Sequence, residues 1–426
     1  MATLQQLDQT QLQQLLTELT ARYEQYRARG LKLDMSRGKP GAGQLDLTND
    51  MLTCLRPEDG FRSEAGIDVR NYGLMDGIPE MKRIFSRLLG VPEENLIVAG
   101  NSSLNLMFDY ICTAFAKGVC GRTPWSREEK LKFLCPAPGY DRHFAITEYF
   151  GFELITVPMT GTGPDMDRVE DLVRDPAVKG IWCVPMYSNP DGITYSDETV
   201  RRFAALKPAA PDFRIMWDNA YCVHHLTDTP DRLLNLFEEA RARGNEDLVL
   251  EFASTSKISF PGAGVAVVAA SAANIADIKS RMKVQTIGFD KINMLRHARY
   301  FKDADGVLAH MKKQAALLRP HFEIVLQTLE RELGPLGIAR WHKPNGGYFV
   351  SVNLLPGCAK ETVRLCREAG VVLTGAGATF PYGRDPQDSN LRIAPTFPPL
   401  DELQTAIDLF CICAQIASVK KRLGTL

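Results

Sequence analysis

The chain has 426 residues, 45% hydrophobic and 24% charged, with a formal net charge of −1 from 50 basic and 51 acidic side chains. That length is too great for one small core and predicts two domains. The balanced charge gives no basic surface for nucleic acid or for a membrane. Ten cysteines are present without a C-x-x-C pair or zinc-type spacing. Several lie within apolar stretches (Cys112, Cys183, Cys366) and are expected to be reduced core residues of a cytoplasmic protein, with no metal site. The N-terminus lacks a signal-peptide pattern, and no apolar run approaches the length of a membrane span.

Leucines at 4, 7, 12, 15, 16 and 19 predict an amphipathic N-terminal helix over 4–28. A turn-rich loop, Ser36 to Gly41, follows. The middle third alternates apolar strands with helical stretches. The strand candidates are Asn95–Ala99, Leu131–Leu134, Gly180–Pro185, Arg214–Trp217, Leu248–Phe252 and Gly264–Ala270. Ser196-Asp197-Glu198 reads as a capped helix start running to about Leu206. Spacings of roughly 30 residues between strands predict βαβ units and a mostly parallel sheet. The last third predicts a long helix over 303–333, a strand within Gly346–Val352, and a helix near 360–369. Short strands follow near 371–374 and 391–394, and a terminal helix starts at about Leu400. The expected division is a large α/β domain over 51–305 and a smaller α+β domain over 306–426, completed by residues 1–50.

Polar clusters fall just after successive predicted strands: Ser188-Asn189-Pro190-Asp191-Gly192, Asp218-Asn219-Ala220-Tyr221 and Ser254-Thr255-Ser256-Lys257. In an open α/β sheet, ligands collect at the carboxyl ends of the strands, so all three can face one crevice. A buried lysine loses its proton more readily and becomes a nucleophile toward carbonyls. Neighbouring hydroxyls suit a phosphate, and the pair suggests pyridoxal phosphate. Asp218, ending an apolar run, needs a positive partner, which a protonated pyridine nitrogen would supply. Asn189 and Tyr221 can hydrogen-bond the ring's phenolate oxygen. Gly100-Asn101-Ser102-Ser103 opens a helix after a strand, where free N–H groups favour a phosphate. Plain serine capping is the competing reading there. The Gly41-x-Gly43 and Gly262-x-Gly264 pairs lack the rest of a dinucleotide motif. His224-His225 has no metal-ligand spacing and is expected to be a core or surface pair.

Taken in order, Gly-Asn-Ser-Ser, Asn-Pro-x-Gly, Asp-x-x-Tyr and Ser-x-Ser-Lys resemble the class I/II aminotransferases of pyridoxal-phosphate fold type I. The resemblance covers essentially the whole chain and is strongest to the bacterial aspartate aminotransferase subgroup Ic. It implies that Lys257 holds the cofactor and shuttles a proton, and that Asp218 pairs the pyridinium with His143 behind it. It further implies that Tyr140 stacks on the ring, and that Ser102, Ser103, Ser254 and Ser256 lie at the phosphate. Gly38 would lie over the substrate, and Arg392 would clamp the substrate α-carboxylate beside Asn189. Tyr72 would reach the phosphate of a neighbouring subunit, implying a homodimer with shared active sites. The implied substrates are an amino acid, aspartate or glutamate, and a 2-oxo acid. A β-lyase or decarboxylase of the same fold is the alternative, followed by a cofactor-sensing regulator. Where relatives carry a phosphate-binding arginine, this chain has Gly262-Ala263-Gly264-Val265. Arg37, Lys39, Lys291 and Arg296 are the candidates for a side-chain carboxylate.

Overall fold

The computed structural model describes residues 3–426. Eight strands pair in the spatial order Leu96–Val98, Ala266–Ala270, Val249–Ser254, Arg214–Asp218, Val178–Cys183, Lys132–Ala137, Glu153–Thr160 and Gly163–Pro164. The five from Val249–Ser254 to Glu153–Thr160 run parallel. Their side chains alternate between two buried faces. Phe133, Trp182, Met216 and Leu250 pack on one side, and Leu134, Ile181, Ile215 and Val249 on the other. Burial on both faces explains why these strands read as continuous apolar runs.

Two features depart from the sequence reading. Ala266–Ala270 is antiparallel to both its neighbours. Only the segment 255–265 joins it to Val249–Ser254, too short for the crossover that a parallel pair needs. Glu153–Thr160 was not among the predicted strands. Exposed and buried residues interleave along it toward one side of the sheet, so it lacks the unbroken apolar run of the central strands.

The helix Asp197–Ala204 is capped by Ser196, whose hydroxyl accepts from the Thr199 amide at 3.2 Å. A second body contains an antiparallel sheet ordered Ala339–Trp341, Val350–Leu354, Asn390–Ile393, and a short parallel pair, Leu33–Asp34 with Val371–Val372. The helix Gln9–Arg27 buries Leu12, Leu19 and Tyr23 in the same core as the helix Leu400–Leu423. The Tyr23 hydroxyl donates to the Leu365 carbonyl at 3.1 Å. Helix Ala304–Glu332 joins the two cores, with Val307 and Met311 in the first and Leu318 to Leu329 in the second.

Leu400–Leu423 corrects one expectation. By length and composition it could cross a membrane, with a mean hydropathy of 1.3, but 78% of that stretch is buried inside the fold.

Candidate active site

Residues from both bodies line a cleft of about 630 Å³ at the carboxyl ends of the parallel strands. Asp218 closes the strand Arg214–Asp218 and is buried. Its Oδ2 lies 3.0 Å from His143 Nε2, while its Oδ1 is buried with no hydrogen-bond partner. His143 belongs to the helix Asp141–Tyr149 and stacks on Trp182, with centroids 4.5 Å apart. It therefore stands behind Asp218, off the cleft lining. An unpartnered buried carboxylate oxygen is unfavourable unless a donor or cation meets it.

Lys257 follows the strand Val249–Ser254. Its amine lies 5.3 Å from the Tyr221 ring centre and 5.8 Å from that of Tyr348. Burial lowers its pKa most; the Asp218 charge opposes the shift, and the Arg392 charge adds to it. The net shift favours the neutral, nucleophilic amine. Tyr221 is buried and its hydroxyl pKa is pushed well up by that burial. Tyr140 lines the cleft, and burial followed by the Asp218 charge raises its pKa to about 12.

Ser102 occupies the N-cap position of the helix Ser103–Lys117 but makes no side-chain capping bond. The competing capping reading is thus absent, and its hydroxyl is free to serve the cleft. Ser103 is buried at the first helical position. The Ser254 and Ser256 hydroxyls are 3.1 Å apart, and Ser256 donates to the Asn101 carbonyl at 3.0 Å. This bond ties the lysine loop to the helix start. Gly264 packs so closely that a Cβ there would lie 2.8 Å from the Asn101 carbonyl oxygen and 2.9 Å from Ser256 Oγ.

Arg392, on the strand Asn390–Ile393, is buried opposite the lysine loop. Its Nη1 donates to Asp141 Oδ1 at 3.0 Å and to Asn189 Oδ1 at 3.1 Å. Nη2 reaches Thr374 Oγ1 at 3.5 Å, and Nε is buried without a partner. The guanidinium sits 4.8 Å from the Phe349 ring centre. Gly38 abuts the same ring, since a Cβ there would lie 2.4 Å from Phe349 Cζ.

The cleft gathers Gly38, Ser102, Ser103, Tyr140, Asn189, Asp218, Tyr221, Ser254, Ser256, Lys257 and Arg392. Tyr72 does not line it and is 79% exposed. Of the four candidate distal cations, Arg37 and Lys39 line the cleft, whereas Lys291 and Arg296 do not. Sequence reasoning gave no role to Asp141, Arg142, Thr374 or Phe349. Asp141 and Arg142 adjoin Tyr140 and His143, a signal that adjacency could have supplied. His224 is a core residue, packed edgewise on Tyr221 and Tyr348. Burial first, then the Lys257 charge, lowers its pKa to about 3. Among the described residues, no group of three or more potential ligands could hold a metal.

A family model described as aspartate amino-transferase matches residues 7–425. An aspartate aminotransferase from Corynebacterium glutamicum is 45% identical over 419 residues, covering 98% of this chain and 97% of that one. A crystal structure of an aspartate transaminase from the same organism superposes with a TM-score of 0.96 at 44% identity, covering 99% of each chain. An alpha-aminoadipate aminotransferase from Thermus thermophilus, complexed with N-(5'-phosphopyridoxyl)-L-leucine, shares the fold with a TM-score of 0.73. It is 19% identical and covers 95% of this chain and 96% of that one. The chain belongs to the aspartate amino-transferase family.

Proposed function

We propose, with that membership as the premise, that this chain is a pyridoxal-phosphate-dependent aminotransferase. It moves an amino group between aspartate or glutamate and 2-oxoglutarate or oxaloacetate. The observation that carries this reading is the orphaned Oδ1 of Asp218, set in one cleft with a lysine whose pKa is lowered by burial and a buried arginine. The residues fit the cofactor. Asp218 lacks the donor that a protonated ring nitrogen would be. Tyr140 and Tyr221 offer an aromatic face and a hydroxyl, and four cleft-lining serines with an uncapped helix start would suit the phosphate. When bound, pyridoxal phosphate supplies an aldehyde that condenses with amines and a ring that withdraws electrons from the substrate Cα.

The chain's own groups do the rest. Asp218, held by His143, would keep the ring nitrogen protonated. Tyr221 and Asn189 would hydrogen-bond the ring's oxygen. Lys257 would anchor the cofactor, and its freed Nζ would carry the Cα proton. Arg392 binds the α-carboxylate with the planar fork that suits it. Arg37, Lys39 and Arg142 are the remaining cleft cations for a side-chain carboxylate.

Tyr72, exposed and off its own cleft, supports a homodimer in which it serves the partner's site. Ten unpaired cysteines support a reducing, cytoplasmic setting. We divide the chain as 51–305 around the large sheet, and 1–50 with 306–426 around the second core.

The test is a two-stage assay on purified protein loaded with pyridoxal phosphate. Aspartate should convert the cofactor to its amine form, and 2-oxoglutarate should restore it. Ammonia or carbon dioxide released without an acceptor would instead indicate a lyase or a decarboxylase. A preference for alanine or an aromatic donor would overturn the substrate assignment.

A further inference from the structure

The anion already seated on Arg392 is a protein carboxylate. Asp141 Oδ1 lies 3.0 Å from Nη1, with the Asp141 side chain 35% exposed and the arginine side chain 7% exposed. Both Nη1 hydrogens are committed, one to Asp141 and one to Asn189. With Nε buried, a ligand carboxylate approaching the end of the guanidinium fork therefore meets Nη2, itself 3.5 Å from Thr374 Oγ1, with the Asp141 carboxylate 3.0 Å from the adjacent nitrogen. Two carboxylates sharing one guanidinium repel each other, more so in a partly buried site than in water. The Phe349 ring and Asn189 hold the guanidinium in place, so it cannot swing away to meet the ligand elsewhere.

We propose that Asp141 is an internal competitor for Arg392, an affinity-setting carboxylate with which every α-carboxylate substrate competes. The inference rests on the aminotransferase reading of this cleft and deepens it. Asp141 is the first residue of its helix, where an acid is also favoured by the helix dipole. That placement alone would affect stability without affecting ligand binding. The competitor role makes a different forecast: it weakens binding of every carboxylate ligand equally, because all share the group that Arg392 holds. It should not discriminate aspartate from alanine.

The experiment compares wild type, Asp141→Asn and Asp141→Ala, each loaded with pyridoxal phosphate. The readouts are succinate dissociation constants from cofactor absorbance, KM and kcat for aspartate and alanine, and thermal midpoints. Removing a charge-assisted bond to the arginine should tighten succinate roughly ten-fold. KM for aspartate and alanine should fall by a common factor, while kcat changes less. Unchanged or weaker succinate binding in both folded variants would overturn the proposal, as would a gain confined to one donor. Wild type that neither takes up the cofactor nor transaminates would instead defeat the functional reading itself.

Discussion

A lysine amine in water is protonated and inert toward carbonyls, so what matters at position 257 is its surroundings. Burial favours the neutral form, and Arg392 reinforces it, against the pull of Asp218. Lys257→Ala should still bind pyridoxal phosphate, but borohydride reduction and mass spectrometry should find no covalent adduct. Turnover should fall by at least ~10²–10⁴, the range for losing a positioned general base; near-normal turnover would remove the lysine from its assigned role. Arg392→Lys keeps the charge but loses the fork and its ties to Asn189 and Asp141. KM should rise for every amino donor tested, equivalent to ~2–5 kcal/mol if the partner groups are left unpaired. A change restricted to aspartate would place Arg392 at the side-chain carboxylate instead.

The strand Val249–Ser254 and the loop after it carry both the site and an unusual buried acid. Glu251 sits on that strand, buried, accepting a hydrogen bond from Asn219 Nδ2 at 2.8 Å. Burial raises its pKa from 4.5 to about 7, partly offset by the Asn219 bond. Between those two values the folded state binds more protons than the unfolded state. The contribution to stability is therefore fully present below about 4.5 and is lost as the pH rises through about 7. Glu251→Gln removes the titration. The variant should match wild type at pH 5 and exceed it at pH 8 by on the order of 1–3 kcal/mol. Thermal midpoints across that range check it, and a pH-independent difference would count against this assignment. In the following loop, Gly264→Ala pushes a methyl group into the Asn101 carbonyl and Ser256. The backbone oxygen cannot rotate aside, so the serine cluster must shift. Cofactor affinity, followed by equilibrium dialysis, should fall roughly ten-fold, the loss of about one charge-assisted hydrogen bond. Unchanged affinity would place the phosphate elsewhere.

At the scale of the molecule, the proposal that a second copy completes a site drawn from two bodies can be tested by complementation. A closed two-fold interface would place each Tyr72 at its partner's cofactor. Mixing inactive Tyr72→Ala and Lys257→Ala proteins should restore activity through hybrid dimers with one intact site, up to about a quarter of wild type per site at random assortment. No recovery, together with a monomeric mass in solution, would return Tyr72 to its own subunit. By itself the sequence determined the strands at the centre of the sheet, because burial on both faces leaves an unbroken apolar run. It also determined the helix periods and the polar clusters at the strand ends, which motif and order place without coordinates. The direction of Ala266–Ala270 and the side strand Glu153–Thr160 were decided by connection length and by neighbours, which no local pattern records. The meeting of Arg392 with Asp141 spans 251 positions of chain. Only the packing of one body on the other brings those charges within 3.0 Å, because pairing at such separation is set by tertiary geometry and carries no periodic signal.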